Sequence, residues 1–134
     1  MSGTSADGVD AAIVDLDGRR VRVVAFATYP YPPSVRRALF RLFDPAGRVD
    51  ELCRMNFVLG ELFAEALLRL ARDAGVDVGT IDLVGSHGQT VRHEPRGRPF
   101  AGRAARCTLQ IAEPAVIAER TGVATVADFR PRDV

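Results

Sequence analysis

Residues 3–10 read GTSADGVD: Gly3, Thr4, Ser5, Ala6, Asp7, Gly8, Val9 and Asp10. Two glycines and two hydroxyls in so short a span describe a turn shaped to hold an anion. Glycine lets backbone N–H groups converge on the ligand, and the hydroxyls add donors. Taken alone, the same residues also fit a plain turn. An anion-holding turn ordinarily hangs between two strands, and here only the second is legible. Either the turn is a frayed terminus, or the sequence starts inside a larger protein.

Working outward, residues 9–16 and 21–28 are β-branched and alanine-rich runs joined by Asp17-Gly18, a strong hairpin signal. Pro30, Pro32 and Pro33 stop the sheet. Ser34 is expected to cap a short helix carrying Val35, Ala38, Leu39 and Leu42 at helical spacing. Asp44-Pro45-Ala46-Gly47 is a turn. Residues 49–74 read as the longest helix, with Leu52, Met55, Leu59, Leu62, Phe63, Ala66, Leu67 and Leu70 on its buried side. Asp50 and Glu51 suit its positive end, and Gly75 stops it. Residues 81–85 and 108–111 are expected strands, 114–121 a short helix closed by Gly122, and 123–127 a last strand. This order predicts an α/β fold with a mixed sheet: an antiparallel hairpin first, then strands alternating with helices.

The 134 residues are 47% hydrophobic and 26% charged, the balance of one soluble globular domain. No apolar run approaches the ~18 residues of a membrane span, and no secretory signal is legible, which favours the cytoplasm. All 18 basic residues are arginine. That excludes any chemistry resting on a lysine of this segment, including a P-loop lysine and a Schiff base. A net charge of +1 provides no basic field for nucleic acid. Cys53 and Cys107 are read as two reduced core thiols.

Open α/β sheets bind ligands beyond the carboxyl ends of their strands. Three polar segments leave expected strands: residues 85–90, residues 110–113, and Asp128-Phe129-Arg130. If those strands run parallel, the segments share one edge and the opening turn forms a fourth wall. His87 sits between glycines as a hydrogen-bonding group or a turn histidine. His87, His93 and Glu94 have no metal-ligand spacing. Asp128 and Arg130 could simply pair with each other. Ser86, His87 and Asp128 spell a nucleophilic set, but adjacent Ser and His side chains cannot readily face one another.

Four ordered stretches, GTSADGVD, GSHGQTVRHEP, TLQIAEPAVIAERTG and VADFRPRDV, together resemble the anhydro-N-acetylmuramic acid kinases across the whole chain. The resemblance implies the actin-like ATPase fold of sugar kinases and heat-shock ATPases, in which two ribonuclease-H-like domains close on ATP. Residues 1–134 are then most of the N-terminal domain, a fragment without the first strand and second domain. The implied activity is ATP-dependent: the 1,6-anhydro bond of anhydro-N-acetylmuramic acid is hydrolysed and O6 phosphorylated, giving N-acetylmuramate 6-phosphate in murein recycling. An alternative is a nucleotide- or sugar-binding half-domain without turnover.

On this reading Gly3, Thr4, Ser5, Ala6, Asp7, Gly8, Val9 and Asp10 bind the ATP phosphates, and Asp7 is the candidate to hold a Mg²⁺-bound water. His87, Gln89, Thr90, Asp128 and Arg130 face the sugar, with Arg130 suited to its carboxylate or to a phosphate. The partners are ATP and the anhydro sugar, with neither nucleic acid nor membrane, and the full-length enzyme has room for a homodimer. Ala6 stands where leucine or methionine is commoner in the family, Ser86 for a frequent cysteine, Ala112 for a frequent glycine. Met1 occupies the place of an aspartate common in the wider fold, so that metal role does not transfer. The family's GGQGAPL-type stretch and catalytic aspartate are expected beyond Val134, and the segment alone is expected to be inactive.

Overall fold

A computed structural model describes residue 3 and residues 5–134. Strands β1 (Gly8–Asp17) and β2 (Arg20–Pro30) form an antiparallel hairpin whose two-residue turn is Gly18-Arg19, one residue on from the expected Asp17-Gly18, and Gly18 takes φ +56°. A β-bulge lies between Ile13 and Val14. Helix α1 (Pro33–Phe43) starts two residues earlier than the Ser34 cap predicts. Pro32 is the N-cap, with no side-chain cap bond, and Pro33 opens the helix. Proline's fixed φ suits the first helical position, where its missing N–H has no partner to lose. Leu39 and Leu42 are the buried residues of this helix, as their spacing predicts.

Helix α2 (Val49–Asp73) is the organising element. Met55, Leu59, Phe63, Ala66 and Leu70 are buried along it as expected, joined by Gly60, Ala64 and Ala71. The absence of a side chain at Gly60 lets the start of the third helix approach closely. A Cβ on Gly60 would lie 2.9 Å from the Glu113 carbonyl oxygen and 3.0 Å from the Val116 side chain. The main apolar cluster gathers Leu39, Leu42, Leu59 and Phe63 with Ala6, Val9, Ile111 and Ile117. Leu39, Leu59 and Ile117 are fully buried, each contributing about 1.5–3 kcal/mol by leaving water.

The second half departs further from expectation. Residues 78–80 form a single 3₁₀ turn, with Asp77 Oδ1 accepting from Gly79 N at 3.0 Å, so strand β3 shrinks to Val84–Gly85. Strand β4 (Gln89–Phe100) and strand β5 (Arg103–Ile111) make a long antiparallel hairpin where only residues 108–111 were expected as strand. Helix α3 (Pro114–Thr121) follows, with Gly122 at φ +72° closing it as predicted. The last strand, β6, is Thr125–Val126 and pairs parallel with β3. The fold is α/β with both pairing senses, but among the described residues they form three separate two-stranded ladders rather than one mixed sheet.

Cys53 and Cys107 are free thiols, as expected, but both are exposed and neither belongs to the core. Cys53 sits on the outward face of α2, and Cys107 on the β4–β5 hairpin, away from the apolar cluster. Among the described residues no helix is long and apolar enough to cross a membrane.

Candidate functional site

The parallel pairing of β3 with β6 places the segments after them side by side. Val84 N donates to Ala124 O at 2.9 Å and Ser86 N to Val126 O at 2.8 Å. His87 leaves one strand here and Phe129 and Arg130 leave the other. The rings of His87 and Phe129 meet edge-on, with centroids 6.3 Å apart. Arg130 Nη1 lies 3.2 Å from His87 Nε2, and His87 Nδ1 lies 3.0 Å from the Gly88 carbonyl oxygen. A guanidinium can only donate, so Nε2 is the acceptor and Nδ1 carries the proton that goes to Gly88 O. The contact between two remote segments thereby assigns the imidazole tautomer.

Arg130 Nε also donates to Asp133, so the ion pair expected between Arg130 and Asp128 is replaced by one within the terminal 3₁₀ segment Arg130–Asp133. Asp128 is exposed and adopts φ +58°, a left-handed conformation unusual for a residue with a Cβ. Two other residues of the expected loops share this trait: Ala6 at φ 49° and Ala112 at φ 148°. Non-glycine residues there cost on the order of 1–3 kcal/mol and persist only where their surroundings hold them.

Gly88 (φ +72°) carries the chain past β5, where a Cβ would come within 3.0 Å of Ile111 O. Gln89 and Thr90, expected in a loop, open β4 opposite Ile111 and Gln110. Both are buried. Gln89 Nε2 donates to Gly3 O at 2.8 Å and Thr90 O at 3.0 Å. Thr90 Oγ1 accepts from Gln110 Nε2 at 3.3 Å. Neither presents its side chain to solvent as His87 and Arg130 partly do. Ser86 Oγ is buried and has no hydrogen-bond partner among the described residues.

The opening turn arrives at this cluster through Gln89. Ala6 N donates to Gly3 O at 3.1 Å, closing the turn, and Ala6 is fully buried against the core. Gly3, Ser5 and Asp7 face outward. Thr4 lies outside the described residues. Asp7 is 3.5 Å from Arg36 Nη2, an exposed and weak pairing, and its carbonyl accepts from Tyr31 N at 3.1 Å. Gly8 is required for packing: a Cβ would sit 2.2 Å from Tyr29 O. Val9 is buried in the core, and Asp10 Oδ1 accepts from Thr28 Oγ1 at 2.6 Å across the hairpin. A nearby depression of about 200 Å³, lined by Val9, Tyr29, Tyr31, Leu62, Glu65 and Arg69, opens beside α2, away from His87.

Asp7 offers a carboxylate in solvent, the oxygen ligand Mg²⁺ takes directly or through water. The turn keeps the Gly3 carbonyl inward while glycine and serine face out. Among the described residues no group of three or more His, Cys, Asp or Glu side chains converges to hold a metal.

Sequence comparison bears on what this arrangement belongs to. A profile of the anhydro-N-acetylmuramic acid kinase family matches residues 1–134. A protein named anhydro-N-acetylmuramic acid kinase from Caldanaerobacter subterraneus subsp. tengcongensis is 56% identical over 139 residues, covering 100% of this chain and 35% of the relative. One of the same name from Salinibacter ruber is 45% identical, again over 100% of this chain and 35% of its own length. A third, from Vibrio vulnificus, is 42% identical over 136 residues, with 100% and 35% covered. The chain therefore spans about a third of the length of these curated relatives.

Proposed function

Because the chain belongs to the anhydro-N-acetylmuramic acid kinase family, we propose that it supplies the phosphate turn and one wall of the acceptor site to an ATP-dependent sugar kinase. The reaction opens the 1,6-anhydro bond of anhydro-N-acetylmuramic acid and phosphorylates O6. Water adds to the anomeric carbon as its bond to O6 breaks, and O6 takes the γ-phosphoryl group with release of ADP. The catalytic base for the water is expected on a part of the protein beyond residues 1–134. The wider architecture is an actin-like, ribonuclease-H-like domain of a cytoplasmic enzyme.

ATP with Mg²⁺ supplies the phosphoryl group and neutralises its charge. The outer face of the turn, where Gly3, Ser5 and Asp7 are exposed, holds the phosphates, while Ala6 and Val9 anchor it in the core. Phosphoryl transfer needs positioning and charge stabilisation more than covalent help, so a turn without lysine is sufficient. His87 and Arg130 bind the sugar side. Two of the five Arg130 donors go to His87 and Asp133, leaving others for a carboxylate or phosphate. Asp128, exposed on the same segment, is placed to accept from sugar hydroxyls.

One observation carries this reading: the GTSADGVD turn is fastened beside the His87 loop, through Gln89 and Gly3, at the edge where β3 and β6 end. The test is the full-length protein incubated with Mg²⁺, ATP and anhydro-N-acetylmuramic acid, with mass-spectrometric detection of the sugar product. The expected product is N-acetylmuramate 6-phosphate, appearing with ADP in equal amount. Absence of any phosphorylated sugar overturns the assignment.

A further inference from the structure

Among the described residues, Gln89 is the one polar side chain that is fully buried and bonded to the phosphate turn. The Gly3 carbonyl oxygen accepts both from Gln89 Nε2 at 2.8 Å and from Ala6 N at 3.1 Å. Two donors match the two lone pairs of a carbonyl. The turn is held from beneath a second time by Ala6, whose methyl is fully buried and whose φ of 49° is one a free alanine avoids. Gly3, Ser5 and Asp7 stay exposed above these anchors. A carbonyl oxygen directed at a phosphate would repel it, whereas one drawn inward leaves the outer face to donors.

We propose that Gln89 is a positioning residue for the phosphate turn: it holds the Gly3 carbonyl inward and couples the turn to the His87 loop two residues before it. The inference rests on the kinase reading of that turn, with Gln89 acting through the Gly3 carbonyl rather than on the nucleotide itself. It also reassigns Gln89 from the sugar side, where the family resemblance puts it, to the nucleotide side.

Substitution by methionine keeps most of the volume and removes the donor. In full-length Gln89→Met, isothermal titration with Mg²⁺ and adenylyl imidodiphosphate is expected to show about a tenfold or greater loss of affinity. Affinity for anhydro-N-acetylmuramic acid should change by less than about twofold. Gln89→Asn, one methylene too short to reach Gly3, should behave the same way and serves if the methionine variant does not fold. Loss of sugar affinity with nucleotide affinity retained overturns the proposal and returns Gln89 to the sugar. A fall in melting temperature with both affinities intact, or failure of both variants to fold, makes Gln89 a core residue only and also overturns it. Wild-type protein that binds no nucleotide overturns the kinase reading itself, a result seen before any variant is compared.

Discussion

Asn56 on α2 and Glu113 before α3 meet twice. The Asn56 amide nitrogen donates to Glu113 Oε2 at 2.9 Å, and the Glu113 backbone N–H donates to the Asn56 carbonyl at 2.9 Å. Asn56 Oδ1 also accepts from Ala112 N at 2.9 Å. The other Glu113 oxygen accepts from Ala115 N, capping α3. One residue in the middle of a helix thus fixes both the strained Ala112 and the start of the next helix.

Asn56→Ala is expected to lower stability by about 1–3 kcal/mol, because the Ala112 N–H lies in a buried position and loses its acceptor. Chemical denaturation measures this. A change within experimental error would show that the loop holds its shape without Asn56.

The two glycines of the opening turn should respond oppositely. A Cβ on Gly3 meets nothing within 4 Å, whereas one on Gly8 would lie 2.2 Å from Tyr29 O and 2.8 Å from Pro30 Cα. Gly3→Ala should leave the folded state within about 0.5 kcal/mol of wild type, and Gly8→Ala should cost about 3 kcal/mol or more. Equal melting temperatures for the two variants would contradict the close approach of β1 and β2 at this end.

His87 should carry its ring proton on Nδ1, since Arg130 donates to Nε2 and Gly88 O accepts on the other side. Long-range ¹H–¹⁵N correlation spectra of neutral His87 report this directly. Arg130→Ala removes the donor, so the ¹⁵N shifts should move toward a mixture of tautomers. Unchanged shifts would mean that Gly88 alone sets the ring.

Arg120 reaches Glu61 with two bonds, at 2.8 and 2.7 Å, joining α3 to α2. Arg120 holds the Glu61 carboxyl below its ordinary value of 4.5. A carboxyl lowered in the folded state binds its proton less readily there than in the unfolded chain. Its stabilisation is therefore complete above the unfolded value and disappears as pH falls through the folded one. Glu61→Gln should melt slightly below wild type at neutral pH, with the gap closing under acid and shrinking in high salt, since both groups are exposed. A gap that persists however far the pH is lowered would assign the effect to packing instead.

Much of this was legible in the chain itself. Helices α2 and α3, the β1–β2 hairpin and the stops at Gly75 and Gly122 follow from local rules: apolar spacing set by bonds four residues apart, and turn residues whose conformational freedom is their own. The GTSADGVD turn and the neighbouring ends of β3 and β6 were also readable, as residue types and as a rule about parallel strands. Tertiary structure decided the rest. Two-residue strands such as β3 and β6 carry no periodicity, and the β4–β5 hairpin is masked by Pro95, Gly97 and Pro99, which read as breakers. The exposure of Cys53 and Cys107, the tautomer of His87 and the burial of Gln89 depend on which distant segment lies alongside. Gln89 and Gly3 are 86 residues apart, and no local pattern encodes such a contact because strand pairing is chosen by the whole fold. The chain by itself determined a glycine- and hydroxyl-rich turn at residues 3–10, and only the packing of β4 beneath it decided which way the Gly3 carbonyl points.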